Sequence, residues 1–141
     1  MTREEWIEQD LSFFHITQTS NLENIYLTGI ENRNGKGICV VRTSHELIVR
    51  FICEMMLNID GELEYSIIEI KPSIYNLKTE EILDDNVVEL TNCLHNYIKR
   101  EFIEVTAENI VGTYQANPLG ISNLIEFENE IRYSITLERL Q

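Results

Sequence analysis

The sequence predicts an α+β fold: a single domain over residues 1–141, with a split or bent antiparallel β-sheet core flanked by short helices. Two observations lead to this prediction. Short runs that alternate like β-strands are interleaved with short runs that have the helical period, and residues 125–137 alternate as a terminal hairpin would. No repeat, low-complexity tract or linker divides the chain, and its length suits one domain of ~100–150 residues.

The residue pattern in the first part of the chain predicts two short helices and two strands. Trp6, Ile7 and Leu11 form one apolar stripe, which favours a helix within residues 3–11. The elements that follow are a strand at 11–14, a helix at 21–28 capped by Ser20-Asn21 and ended by Gly29, a turn at 33–37, and a buried strand at 38–41.

The later elements are predicted from the same two patterns, the alternation typical of β-strands and the helical period. Ser44 caps a helix at about 45–57, and a strand runs from Tyr65 to Ile70 until Pro72 ends it. The remaining predictions are a polar loop at 76–85, a helix at 86–96, a strand near 102–105 and the hairpin at 125–137.

The composition is strongly acidic. The chain has 24 aspartates and glutamates against 11 lysines and arginines, which gives a formal net charge of −13. Such a charge repels phosphates, so we expect a protein partner rather than a nucleic acid. Besides solubility, this charge favours either attraction to basic proteins or the imitation of a nucleic acid.

Targeting signals and metal motifs are not expected. The first ten residues are charged rather than apolar, and no run approaches the ~20 apolar residues of a membrane span, so we expect no membrane association and a cytoplasmic protein. Cys39, Cys53 and Cys93 have no metal-type spacing and suit reduced thiols. The three histidines are isolated, so no metal cofactor is predicted.

The most informative motif is Phe13-Phe14-His15-Ile16-Thr17, followed by Asn21-Leu22, Ile25 and Gly29-Ile30. A strand ending on an imidazole and a hydroxyl, followed by a short helix, holds both groups at the mouth of a cleft. The motif resembles the opening of the ADP-ribosyltransferase superfamily, which reads His-Gly-Ser, His-Gly-Thr or His-Ile-Thr. The resemblance implies that His15 and Thr17 hold the nicotinamide ribose of NAD and that the Ile16 backbone binds the nicotinamide amide.

Two further blocks extend the resemblance, which spans residues 13–111. Gly35-Lys36-Gly37-Ile38-Cys39, with Ser44 and a helix after it, is similar to the second block of the poly(ADP-ribose) polymerases. Arg33, Lys36, Gly37 and the neighbouring amides are then the expected donors to the pyrophosphate. The stretch 97–103 is similar to the polymerase strand Asn-Glu-Tyr-Ile-Val and to the corresponding strand of DarT-type toxins.

The resemblance makes Glu101 the catalytic carboxylate. Cleavage of the nicotinamide–ribose bond passes through an oxocarbenium-like state, which a carboxylate beside the ribose stabilises. If residues 97–105 form one strand, Glu101 shares a face with Ile103 and Val105. In the helix after the second block, Arg50 stands where the polymerases have a stacking tyrosine, and we expect it to clamp a phosphate or stack on the nicotinamide. Its other interpretation is an ion-pair row with Glu46 and Glu54.

These observations predict a small mono-ADP-ribosyltransferase of the toxin or phage-effector kind, with NAD as co-substrate and a macromolecular acceptor. An alternative is a binding module that holds an NAD-derived or cyclic nucleotide without turnover. A weaker alternative is an RNA 2′-phosphotransferase, a reaction that requires more basic residues around an RNA end than this chain offers.

Overall fold

The computed structural model describes residues 1–43, 63–89, 93–117 and 120–123, and it has the predicted α+β class, with an antiparallel sheet and a few short helices. The strands are β1 (Phe13–Gln18), β2 (Ile30–Glu31), β3 (Ile38–Arg42), β4 (Leu63–Ile70), β5 (Ile82–Glu89), β6 (Cys93–Ile98), β7 (Phe102–Ile103), β8 (Ile110–Asn117) and β9 (Gly120–Asn123). The helices are α1 (Arg3–Glu8), α2 (Leu22–Thr28) and α3 (Pro72–Tyr75), with 3₁₀ turns at Thr19–Asn21, Thr79–Glu81 and Ala107–Asn109.

In the part of the chain that the structure describes, seven strands form one antiparallel sheet in the order β5-β6-β3-β1-β4-β8-β9, and β2 pairs with β7 in a separate two-stranded sheet. The pairing of β1 differs on its two edges. Towards β4 it runs from Phe13 to Gln18, whereas towards β3 it covers Phe13 and Phe14 alone. β1 and β3 therefore pair at Phe13 and Phe14 and not beyond, and we call the unpaired stretch after Phe14 the gap between β1 and β3.

One face of the sheet carries the main core. Phe13, Val40, Ile68 and Ile98 are 1 % exposed or less, and they belong to a single cluster of buried apolar residues. α1 covers this face with Trp6, whose ring lies edge-on to Phe13 with 6.4 Å between centroids. Burial on this scale stabilises each large apolar side chain by about 1.5–3 kcal/mol.

The short helices follow their local signals with two exceptions, at the end of α1 and at the start of α2. α2 ends at Gly29 as predicted. Pro72 is the first residue of α3, where a backbone N–H would have no partner within the helix, so the missing N–H of proline does not destabilise it. α1 begins at Arg3 as predicted, where the capping box between Thr2 and Glu5 fixes its start, but it ends at Glu8, before the predicted end at Leu11. The side chain of Asn21 makes no capping bond to α2, contrary to the prediction.

The predicted helix at 86–96 is wrong. β5 and β6 occupy this part of the chain and pair with each other, and β6 also pairs with β3. The apolar spacing of this stretch suits either structure, and pairing with the distant β3 decides in favour of strands. The predicted helix at 45–57, Arg50 and the hairpin at 125–137 lie outside the described residues.

Candidate functional site

His15 lies on β1 directly after the point where β1 and β3 separate. Its side chain is partly buried, and Nδ1 donates a hydrogen bond to the carbonyl oxygen of Cys39 on β3 at 2.7 Å. The proton therefore sits on Nδ1, and the lone pair of the neutral ring is on Nε2. Burial lowers the pKa of His15, although the bond to the Cys39 carbonyl acts in the opposite direction. The group is thus a neutral hydrogen-bond acceptor near neutral pH.

Thr17 points to the same side of β1 as His15, since strand residues alternate. It is 8 % exposed, and its Oγ1 accepts a hydrogen bond from Nδ2 of Asn21 at 3.1 Å. Asn21 thus orients the Thr17 hydroxyl rather than capping α2. Ile16 lies between them, on the part of β1 that has no pairing towards β3.

The loop 32–37 is held by its own asparagines. Oδ1 of Asn32 accepts from the backbone N–H groups of Gly35 at 3.1 Å and Gly37 at 3.2 Å, and Oδ1 of Asn34 accepts from Lys36 N–H at 2.8 Å. These amides are therefore already hydrogen-bonded inside the loop, and their expected role as donors to a pyrophosphate stays a prediction.

Gly37 is required by the path of the chain. Its φ is +132°, and an added Cβ would lie 2.7 Å from the carbonyl oxygen of Ile98. Only glycine fits this conformation beside β6. The close approach of Gly37 to the Ile98 carbonyl lets the start of β3 pair with the end of β6, beside the gap between β1 and β3.

These elements enclose a cleft of about 300 Å³ that we call the His15 cleft. Its described lining is His15, Thr17, Asn21, Asn24, Ile25, Gly29, Ile30, Glu31, Arg33, Asn34, Gly37, Ile38 and Cys39. Among these residues Glu31 is the one carboxylate, and its Oε1 accepts from Nη2 of Arg33 at 3.0 Å. Of the predicted site residues, His15, Thr17, Arg33 and Gly37 are therefore brought together.

Lys36 and Glu101 line a different cleft, of about 560 Å³, that we call the Glu101 cleft. Nζ of Lys36 lies 5.9 Å from the ring centroid of Tyr97. The two clefts adjoin through the loop 32–37, and Asn32 N–H donates to the Glu101 carbonyl at 2.9 Å.

The expected strand through Glu101 is wrong. β6 ends at Ile98, the chain bends, and β7 begins at Phe102, so the exposed Glu101 does not share the face of the buried Ile103. The bend is stabilised by Arg100, whose Nε and Nη2 donate to the two carboxylate oxygens of Glu81 at 2.8 and 3.0 Å.

A polar cluster, which sequence reasoning missed, lies on the same face of the sheet as His15; its Asn96 and Arg42 are buried, whereas its Asp84 is exposed. Asn96 on β6 is fully buried and donates from Nδ2 to Asp84 on β5, which also accepts from Nη2 of Arg42 at 3.4 Å. Oδ2 of Asp84 is 3.5 Å from Nε of Arg3 on α1. The strand alternation of residues 93–98 would have placed Asn96 inward, had a strand been predicted there.

Within the described ranges, no group of three or more His, Cys, Asp or Glu side chains is placed to hold a metal ion. In the same ranges, no helix has the length and apolar character of a bilayer span. The role expected of Arg50 stays a prediction, since that residue is outside the described chain.

Comparison with known proteins adds no assignment: no family model, no curated protein and no solved structure matches the chain.

Proposed function

We propose that the protein is a small mono-ADP-ribosyltransferase with an ADP-ribosyltransferase-like fold, which uses NAD as co-substrate and binds its nicotinamide ribose in the His15 cleft. The observation that carries the proposal is the neutral His15 beside the gap between β1 and β3, with its Nδ1 held by the Cys39 carbonyl. Nε2 can then accept a hydrogen bond from a ribose hydroxyl, and the Thr17 hydroxyl, on the same face of β1, is a second hydrogen-bonding group for the ribose.

The three blocks of the sequence resemblance lie on adjacent strands, which supports the proposal. The first is on β1, the second leads into β3, and the third begins on β6, in the order β6-β3-β1 within the sheet. A nucleotide in the His15 cleft would therefore contact β1 and β3 together. The unpaired stretch around Ile16 offers backbone groups for the nicotinamide amide.

The transfer breaks the bond between the anomeric carbon and the nicotinamide nitrogen, and nicotinamide leaves with the electron pair. The acceptor then bonds to the anomeric carbon and gives up its proton. A carboxylate near that carbon stabilises the oxocarbenium-like state and can take the proton. Within the described lining, Glu31 occupies the His15 cleft and Glu101 the adjoining one, so Glu31 is the carboxylate we assign to this role.

Calorimetric titration of NAD into the wild type and His15→Asn tests the site. Asparagine keeps an N–H near the position of Nδ1, which preserves the bond to Cys39, but it lacks the acceptor at Nε2. We expect a loss of about 1–2 kcal/mol in binding, roughly 5–30-fold in Kd, with little change in stability. Equal affinities for the two proteins, or no binding of NAD by the wild type, would contradict the proposal.

A second candidate function is a binding module that holds an NAD-derived nucleotide without turnover. The ion pair between Glu31 and Arg33, 3.0 Å long, favours it, because the one carboxylate in the described lining of the cleft is already engaged and binding does not require a carboxylate at the anomeric carbon. Incubation with NAD labelled in the adenylate part, together with a cell lysate, separates the two. Label on macromolecules supports transfer, whereas bound and unconverted NAD supports the binding module.

A further inference from the structure

Large apolar side chains are exposed together at one place on the protein. Leu27 is 79 % exposed, Ile74 70 %, Phe102 51 % and Tyr26 43 %. All four line a single groove of about 670 Å³ between α2, α3 and β7, which we call the Phe102 groove. Scattered exposed apolar residues are ordinary, but four around one concavity mark an interaction site.

The Phe102 groove is also acidic. Glu69, Glu104 and Glu108 line it, and the one basic residue in its described lining is Lys71. Nζ of Lys71 lies 3.9 Å from a carboxylate oxygen of Asp10, so its charge is already offset. The ion pairs found among the described residues include neither Glu104 nor Glu108. The groove therefore presents negative charge that a partner can match.

The floor of the groove is fixed by hydrogen bonds. The Tyr75 hydroxyl donates to the Glu104 carbonyl at 2.7 Å and accepts from Nδ2 of Asn109 at 2.9 Å. Asn109 also donates to the Glu69 carbonyl at 2.9 Å. A concavity that is already ordered loses little entropy when it binds a ligand.

We propose that the Phe102 groove docks a basic, amphipathic segment of a partner protein, with apolar side chains against Leu27, Ile74 and Phe102 and lysines or arginines against Glu104 and Glu108. This is the arrangement of a helix that lays an apolar face into a groove. Gly29 lines both this groove and the His15 cleft, so a docked segment lies beside the nucleotide site. That the segment belongs to the ADP-ribose acceptor rests on the proposed function; the docking itself does not.

The test is a binding measurement without NAD. A fluorescent amphipathic peptide of leucines and lysines is titrated with the full chain and followed by anisotropy, against a peptide with glutamate at every lysine. The protein variants are Leu27→Ser combined with Phe102→Ser, Glu104→Lys combined with Glu108→Lys, and the control Leu83→Ser. Leu83 is an exposed apolar residue, 38 % accessible, that lines the Glu101 cleft instead.

We expect the lysine peptide to bind the wild type and Leu83→Ser with equal affinity. Both double variants should bind this peptide at least tenfold more weakly, and the glutamate peptide should bind none of the proteins. Circular dichroism confirms that each variant is folded. Equal binding to the wild type and the Leu27→Ser/Phe102→Ser variant would overturn the proposal. So would concentration-dependent self-association that those substitutions abolish, because the groove then binds a second copy. Peptide binding without ADP-ribose transfer would uphold the groove and contradict the proposed function alone.

Discussion

His15 and Cys39 are joined by a hydrogen bond from the imidazole Nδ1 to the main-chain oxygen, 2.7 Å long, across the gap between β1 and β3. The side chain thus replaces a backbone bond that the diverging strands do not make. One bond therefore does two things: it satisfies the Cys39 carbonyl, and it fixes the ring so that Nε2 is the acceptor.

The buried imidazole makes stability depend on pH. Burial lowers the pKa of His15 in the folded state, so the unfolded chain binds more protons in the range between the two pKa values. The contribution of the neutral His15 to the free energy of unfolding is fully present above the unfolded-state pKa of ~6.5. It is lost as the pH falls towards the lower pKa of the folded state. We expect the wild type to lose more stability than His15→Asn between about pH 7.5 and about pH 5.

Urea unfolding of both proteins at several pH values measures the difference. Since every other titrating group is present in both proteins, its contribution cancels in the comparison. Parallel pH profiles would show that His15 does not carry the dependence.

Gly37 and Gly35 form a matched pair for the loop beside the site. Both have positive φ, +132° and +80°, but a Cβ at Gly37 would meet Ile98 O at 2.7 Å, whereas a Cβ at Gly35 would meet nothing within 4 Å. Gly35→Ala is expected to cost the backbone strain of ~1–2 kcal/mol, and Gly37→Ala a further ~1–3 kcal/mol from the clash. The free energy of unfolding in urea checks this, and equal losses would contradict the geometry.

The carboxylate proposed for catalysis is tested by two substitutions of the same kind. Glu31→Gln is expected to keep NAD affinity and to lower the rate of ADP-ribose transfer by ~10²–10³, the usual effect of removing one element of transition-state electrostatics. Glu101→Gln, in the adjoining cleft, is expected to lower it less than tenfold. Single-turnover assays with labelled NAD measure both. The reverse order of effects would assign the role to Glu101, as the sequence resemblance implies.

Arg100 and Glu81 link the bend before β7 to the turn before β5. Their side chains are 27 % and 23 % exposed, and the pairing is bidentate. The hydrogen bond from Arg100 is the largest cause that lowers the pKa of Glu81 in the folded state. The ionised Glu81 therefore stabilises the fold above its unfolded-state pKa, and this stabilisation is lost as the pH falls through its lower, folded-state pKa.

We expect Arg100→Ala to lower stability near neutral pH by about 1–2 kcal/mol, after allowance for partial exposure to solvent. Arg100→Lys should restore only part of the loss, because lysine lacks the fork that binds both oxygens. The control is Arg33→Ala, which removes an ion pair whose arginine is 73 % exposed. An equal effect of Arg33→Ala and Arg100→Ala would contradict the assignment.

Much of the fold could be predicted from local signals. The strand at 38–41, the strand ending before Pro72 and the helix ended by Gly29 all lie where the sequence predicted them. Each depends on a short-range cause, such as a run of apolar residues, the fixed φ of proline or the freedom of glycine at positive φ. The positions of His15 and Thr17 on one strand face follow from the same local rule.

The arrangement of the candidate site depended on contacts between residues far apart in the chain. Whether 86–96 is helix or strand was decided by pairing with β3, and Glu101 lies in the bend between β6 and β7, next to the bond between Arg100 and the distant Glu81. The separation of β1 from β3, which creates the His15 cleft, likewise has no signal in either strand. The sequence by itself determined the α+β class and the side chains available to the candidate site, because periodicity and side-chain chemistry are local properties. Only the tertiary structure decided which of them share a cleft, because strand pairing and buried hydrogen bonds join segments that no local pattern relates.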